Sequence, residues 1–259
     1  MKKIPVSIAI ITQDEESNIR TCIESVDWGD EIIVIDGGSI DLTVEIAESL
    51  GAKVIHNKWP GHIEQKNFAI EHCSNDWIFS IDADERVSER LKSEILNVFE
   101  DPDTLPDAYF CPRKVFYLGK WISHSGWYPD YKIRLFKKSK AKWGGHNPHD
   151  KIILDGKAQK LKGDLLHYPY KNLSDHLKRI NSYTTIMAEG LFKEKKSSNI
   201  FKIIFNPYFR FLRAYILKLG FLDGFQGLMI SILGAYYVFL KYLKLWELQK
   251  LQNGKKKFD

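Results

Sequence analysis

The chain is poor in cysteine: Cys22, Cys73 and Cys111 are the only three in 259 residues, with no paired or C-x-x-C spacing. With no signal peptide in the opening residues, they read as reduced cytosolic thiols, not as a disulfide framework. Glycine is missing where several enzyme classes need it. The loop after the first predicted strand is Thr12-Gln13-Asp14-Glu15-Glu16, so neither a G-x-G-x-x-G dinucleotide fingerprint nor a P-loop is present. A glycine-rich first loop, expected of a nucleotidyltransferase that makes sugar nucleotides, is absent as well. The longest uncharged apolar run, Gly227–Leu240, has fourteen residues, against the roughly 20 that a spanning helix needs. The net charge of +5 is uneven: ten Lys/Arg against three Asp/Glu from Ile200 onward give +7 there and leave −2 for residues 1–199. That placement argues against a nucleic-acid-binding catalytic face.

What is present is a regular alternation. Val6–Ile11 is a β-branched strand, followed by the helix-prone EESNIRTCIESV. Glu31–Asp36 is a second strand, ending in Asp36-Gly37-Gly38-Ser39-Ile40-Asp41. A helix over Leu42–Leu50 leads to a strand at Lys53–His56, and a helical segment over Gly61–Cys73 leads to the strand that ends at Asp82. Strands alternating with helices predict an α/β fold, a mainly parallel Rossmann-like sheet with helices on both faces and right-handed crossovers. The length allows one sizeable core plus an appendage.

The densest signal is Trp77–Arg86, WIFSIDADER. A run that reads as a buried strand ends in the carboxylates of Asp82, Asp84 and Glu85. Isolated anions are too costly to bury in a core, so the stretch belongs at the open carboxyl end of the sheet, where α/β proteins bind ligands. Asp-x-Asp on a short turn offers hard oxygen ligands to a divalent cation. A strand ending in a plain charged turn reads the same way. Glu85 is expected to face solvent or to help position Arg86.

IAIITQDEESNI, IIVIDGGSIDLTVEIAESLGAKV and QKNFAIEHCSNDWIFSIDADERV, taken in order, resemble the GT-A fold inverting glycosyltransferases of family 2. WYPDYKIRLFKK, LKGDLLHYPYKNLSDHLKRINSYT and GFLDGFQGLMISILGAYYVFLKYLKLWE narrow the resemblance to the bacterial lipopolysaccharide inner-core β-1,4-glucosyltransferase branch, over about residues 4 to 248. The resemblance implies a metal-dependent hexosyltransferase, with a nucleotide-sugar donor (UDP-linked), Mg²⁺ or Mn²⁺ as cofactor, and a glycolipid or lipid-linked glycan acceptor. Transfer to a polyprenyl phosphate or another surface glycan, or a non-catalytic binding scaffold, are the alternatives.

On that reading Asp36 accepts from the uracil or ribose, with Thr12 and Glu16 lining the base pocket and Gly37 and Gly38 allowing the tight turn. Capping of the next helix is the competing role for Asp36, and Asp41 suits that better. Lys66 offers a point charge to a phosphate, unless it is a solvated helical lysine. Asp82 goes to the ribose and Asp84 to the cation. The third ligand is His167, with His149 as the other candidate; a hydrogen-bonded core histidine is the competing reading. Asp130, four residues before Arg134, is the expected catalytic base, with Asp150 as the fallback and a turn residue after Pro129 as the competing reading. Trp121, Trp127, Tyr128 and Trp143 offer rings for stacking on sugars or belong to the core.

The expected domains are a catalytic 1–199 and a helical 200–259. The latter mixes large apolar residues with Arg210, Arg213 and Lys218, and ends in Lys255-Lys256-Lys257. It reads as an amphipathic anchor on an anionic membrane surface, at the cytoplasmic face of the bacterial inner membrane. A packed helical hairpin or a dimer interface fits the same pattern.

Overall fold

A computed structural model describes residues 3–100, 105–146 and 149–255. The side chains of His146, His149 and residues 253–255 lie outside the described part, as do Lys256 and Lys257. Contacts divide the chain into two compact units: Met1–Lys114 with Pro129–Tyr168, and Val115–Tyr128 with Pro169–Asp259. The boundary expected at residue 199 falls inside the second unit.

The first unit opens as β1 (Ile4–Thr12), α1 (Ile19–Ser25), β2 (Gly29–Asp36), α2 (Thr43–Ser49), β3 (Lys53–His56), α3 (His62–Glu71) and β4 (Trp77–Asp82), then β5 (Glu85–Val87) and α4 (Glu89–Val98). β6 (Ala108–Tyr117), β7 (Lys120–Trp121), β8 (Asp130–Lys137), β9 (Ala141–His146), β10 (His149–Leu154), β11 (Ala158–Lys160) and β12 (Leu165–His167) follow. Among the described residues the main sheet runs β3-β2-β1-β4-β8-β6-β12-β5. The alternation read from the sequence is therefore borne out: β3, β2, β1 and β4 are parallel. Past β4 the sheet is mixed, with β8 antiparallel to β4 and β6 antiparallel to β8.

β1 is buried along nearly all its length because helices cover both faces, which is why it reads as a continuous apolar run instead of an alternating one. Ser88 begins α4, its hydroxyl accepting from Leu91 N at 3.3 Å, and Glu94 on α4 accepts from the Lys162 and Gly163 amides at 2.6 and 3.0 Å. Cys22, Cys73 and Cys111 are buried and unpaired.

The second unit holds α5 (Leu173–Lys193), α6 (Ile200–Leu212) and α7 (Phe225–Lys255). Asn172 and Asn199 begin α5 and α6, accepting from Asp175 N and Lys202 N, each at 2.9 Å. Asp223, buried in the turn before α7, accepts from the amides of Ser123 and His124 at 3.3 and 2.8 Å and faces His124 Nδ1 at 3.0 Å. Tyr117, Trp127 and Tyr170 pack with Ile122 and Ile230. The Gly227–Leu240 run, too short to span by itself, lies inside α7, and among the described residues Phe225–Gln252 is the one helical stretch long and apolar enough to cross a membrane. α7 packs on α5 and α6, so a helical hairpin does form. Its outer surface is unusual: Phe201, Phe209, Leu217 and Phe225 are 67, 60, 75 and 66 % exposed.

Two glycines test this packing. A Cβ on Gly163 would stand 2.3 Å from Leu91 N and 2.4 Å from its Cα, so Gly163→Ala must displace the start of α4. We expect a loss of about 1–3 kcal/mol by chemical denaturation. Gly190, in α5 with nothing within 4 Å, should gain up to about 1 kcal/mol as Ala.

Candidate active site

The carboxyl ends of β1, β2 and β4 bring the expected residues together on the first unit. Asp36, at the end of β2, is fully buried. Its carboxylate accepts from the Gly38 and Ser39 amides at 2.9 and 3.1 Å and faces His56 Nδ1 at 3.0 Å. Burial pushes this carboxyl up, but hydrogen bonds from Ser39, Gly38 and His56 outweigh it and hold the pKa below its ordinary value. Asp41, not Asp36, accepts from the first amide of α2, Thr43 N, at 3.0 Å. Gly38 has φ +102°, and a Cβ on Gly37 would meet the Trp59 ring at 2.6 Å, so both glycines are required where they stand. Thr12 is buried beside this turn, with its hydroxyl unpartnered. Glu16 is tied to the same turn, accepting from Leu42 N at 3.3 Å while its own amide donates to Asp41 at 3.1 Å.

The centre of the site is an ionic cluster. Lys66 on α3 is only 4 % exposed. Its Nζ lies 3.0 Å from Asp82 Oδ1 and 2.8 Å from Asp150 Oδ2 and stands over the Trp143 ring at 4.2 Å from its centre. This excludes a solvated helical lysine. Arg134 on β8 is buried, with Nη2 3.0 Å from Asp82 Oδ2 and 2.6 Å from Glu85 Oε1. Burial raises the Asp82 pKa, but Lys66 and Arg134 more than offset it and hold the carboxyl well below the usual carboxylate range. Burial lowers the Arg134 pKa, yet Glu85 and Asp82 drive it above its ordinary value.

Glu85 is a correction. Expected at the surface, it is completely buried, bound by Arg134 and by Arg113 at 3.4 Å. The turn after Asp82 breaks the strand's two-residue period, so Glu85 begins β5 facing inward. Arg113 went unread in the sequence; its signal was a charge inside the apolar strand β6.

Asp84 and His167 meet as expected, with Nε2 3.3 Å from Oδ2. His167 Nδ1 is buried without a hydrogen-bond partner. One carboxylate oxygen and one imidazole nitrogen at this separation fit two positions of a divalent cation, with the others left to phosphate and water. Among the described residues no group of three such side chains is found. The side chain of His149 lies outside the described residues.

A pocket of about 570 Å³ opens over the ionic cluster, lined among others by Lys66, Asp82, Arg113, Arg134, Trp143 and Asp150. Asp130 is not in that lining. Its carboxylate is held by Arg113 at 2.7 Å and Lys132 at 3.0 Å, not by Arg134. Burial pushes it up, but Arg113 and Lys132 pull it below the ordinary value. Of the four aromatics singled out, Trp143 lines the pocket, while Trp121 packs on Phe116 and Trp127 on Tyr117 in the second unit.

If Glu85 serves as the buried counter-ion, Glu85→Gln should cost about 3–5 kcal/mol of stability, read from urea denaturation. Asp84→Asn, at the pocket-free end of the turn, should cost under about 1 kcal/mol. Equal effects would contradict the cluster.

Comparison with known proteins gives the family. The family described as glycosyl transferase family 2 matches residues 7–154, more than half of the chain, and the chain belongs to it. An uncharacterized glycosyltransferase of Rickettsia typhi is 35 % identical over 261 residues, covering 96 % of this chain and 88 % of that one. The lipopolysaccharide core biosynthesis glycosyltransferase LpsC of Rhizobium meliloti is 28 % identical over 257 residues, covering 96 % and 95 %. Among solved structures, S. aureus TarS (residues 1–349) is 18 % identical with a TM-score of 0.41, covering 54 % of this chain and 48 % of that one. Glucosyl-3-phosphoglycerate synthase of Mycobacterium tuberculosis, in complex with Mn²⁺, UDP and phosphoglyceric acid, is 24 % identical with a TM-score of 0.35, covering 44 % and 43 %.

Proposed function

From membership of glycosyltransferase family 2, we propose that the chain is an inverting hexosyltransferase. It moves a hexose, most simply glucose from UDP-glucose, onto a hydroxyl of a lipopolysaccharide core or related lipid-linked surface glycan. The observation that carries the reading is the pocket that joins Asp82, Lys66 and Asp150. The full-length similarity to LpsC supports the acceptor class.

Asp36 and Thr12 hold the nucleoside at the end of β2, and Asp82 accepts from the ribose. Asp84 and His167 would hold a divalent cation, which supplies charge neutralisation to the departing diphosphate. Lys66, a point charge between two carboxylates, presents its remaining hydrogen-bonding capacity to a phosphate oxygen. We assign the general base to Asp150 in place of Asp130. It lines the pocket, whereas Asp130 lies outside it, held ionised by Arg113 and Lys132, and an acid with a depressed pKa is a poor base. The acceptor hydroxyl gives its proton to Asp150 as its oxygen bonds to the anomeric carbon. The bond from that carbon to the diphosphate breaks in the same displacement, and the configuration inverts.

The acceptor's lipid calls for a membrane surface. The exposed face of α6 and the turn after it carries Phe201, Ile204, Phe205, Tyr208, Phe209, Leu217 and Phe225, far more than the scattered apolar residues of a soluble surface. Arg213 and Lys218 are exposed in the same stretch. That combination suits an interfacial helix on anionic lipid at the cytoplasmic face of the inner membrane.

Turnover with UDP-glucose should fall by at least about a hundredfold in Asp150→Asn while UDP affinity is retained; Asp130→Asn should keep most activity. Asp84→Asn should lose the Mn²⁺-dependent part of UDP binding, measured by calorimetry. If Asp130→Asn is the dead variant, the base is Asp130. UDP binding without transfer or hydrolysis, tested with UDP- and GDP-sugars, would mean a scaffold.

Membrane docking is checked by liposome sedimentation. The intact protein should pellet with anionic vesicles and be released in part by salt, which screens only the electrostatic share. Phe201→Ser combined with Phe205→Ser and Phe209→Ser should remain in the supernatant. Equal pelleting of both proteins would rule out the α6 face.

A further inference from the structure

The pocket carries more positive charge and more hydrogen-bond donors than its own carboxylates satisfy. Its lining supplies five cations, Lys66, Arg113, Lys132, Arg134 and Lys151. Against them stand Asp82 and Asp150 in the lining and Glu85 and Asp130 beside it. Lys66 and Arg134 are matched at the inner end by Asp82, Glu85 and Asp150. At the mouth, Asp130 is shared by Arg113 and Lys132, Arg113 also reaches Glu85 at 3.4 Å, and exposed Lys151 has no ion-pair partner among the described residues. Lys160 adds a further charge, 4.4 Å above the ring of half-exposed Tyr131.

A second observation concerns the inner end. Trp143 Nε1 and Arg134 Nε are buried without hydrogen-bond partners, on side chains 5 and 2 % exposed. An orphaned buried donor costs about 1–3 kcal/mol, so the inner end is short of oxygen acceptors and leaves its carboxylates none to spare for the mouth. Of the residues proposed above for the donor, Lys66 and Asp82 lie at the inner end of this pocket, while Asp36, Asp84 and His167 do not line it. Its mouth is built instead by β6, β8 and β10, which supply Arg113, Lys132 and Lys151.

We propose that the mouth of the pocket is an oxyanion subsite for the acceptor: it recognises a sugar that bears a phosphate or carboxylate, gripped by Arg113, Lys132 and Lys151, with Tyr131 as the platform for the ring. The inference rests on the glycosyltransferase reading and narrows it, since the acceptor is then an acidic glycan and not a neutral one. Arginine suits the planar grip on a carboxylate or phosphate, and exposed lysines can turn to follow it.

The test uses the full chain and two small probes, glucose 6-phosphate and glucuronate, with glucose as the uncharged control. Binding is measured by calorimetry at low salt, with and without saturating UDP. Both anionic probes should bind, glucose should not, and UDP should not displace them. In the double variant Lys132→Gln, Lys151→Gln the probes should bind about tenfold more weakly, with the thermal midpoint and UDP affinity unchanged. Displacement by UDP would assign the charges to the donor's diphosphate and overturn the proposal. So would unaltered binding to the double variant, or no binding of either anion. Failure of UDP itself to bind would instead refute the glycosyltransferase reading, so the two are separable.

Discussion

The buried guanidinium of Arg134 is the constraint on which the rest of the first unit depends. A cation taken out of water must meet anions at close range or the fold loses several kcal/mol. Arg134 sits on β8, the first antiparallel strand beyond the parallel block, and its demand for anions is met across that seam by Asp82 and Glu85. Glu85 can reach it only if the chain reverses directly after β4, which is what the Asp82-Ala83-Asp84 turn does. Asp82, with one oxygen on Arg134, turns the other to Lys66, and Lys66 in turn binds Asp150 on β10. One charge thus fixes the turn, the helix α3 and the strand β10 in a single arrangement.

Much of this was legible in the sequence, and what was not has physical reasons. β1 to β4 and the helices between them were readable because helix-covered parallel strands are apolar throughout and separated by short polar segments. The mixed half was less so: β6 and β8 carry charges among their apolar residues, Arg113 and Arg134, and their partners sit far away in sequence. Lys66 looked equally well solvated, because the carboxylate that buries it is 84 positions further on. Glu85 was misassigned because period-two counting fails across a turn. Asp84 and His167 were paired by the family resemblance, and they stand 3.3 Å apart. The C-terminal helices were visible as an apolar, basic stretch, but the contact between Asp223 and the loop at Ser123–His124 joins segments about 100 residues apart, and no local pattern announces it.

The ionic cluster also explains how a site so full of charge can be ready for a charged ligand. In water, each of these side chains would need to shed its hydration shell as substrate arrived. Here the desolvation has been met on folding, and the charges are already fixed against one another. Substrate binding then exchanges one anion for another. A phosphate oxygen near Lys66 would share its charge with Asp82 and Asp150, loosening the Lys66–Asp150 pair.

The second unit solves a different problem. α6 buries little more than Ile203 and presents its aromatic residues to the outside, although Asn199 caps it well and α7 backs it along its length. A surface rich in Phe and Tyr gains about 25 cal/mol for every Å² of apolar area removed from water, and here no segment of the described chain removes it. The gain is available only to an external apolar phase or partner. Pro207 lies within α6, and a π-helical turn at Arg213–Leu217 follows it. A coiled-coil partner would require a continuous heptad seam, which a helix of thirteen residues interrupted in this way does not offer.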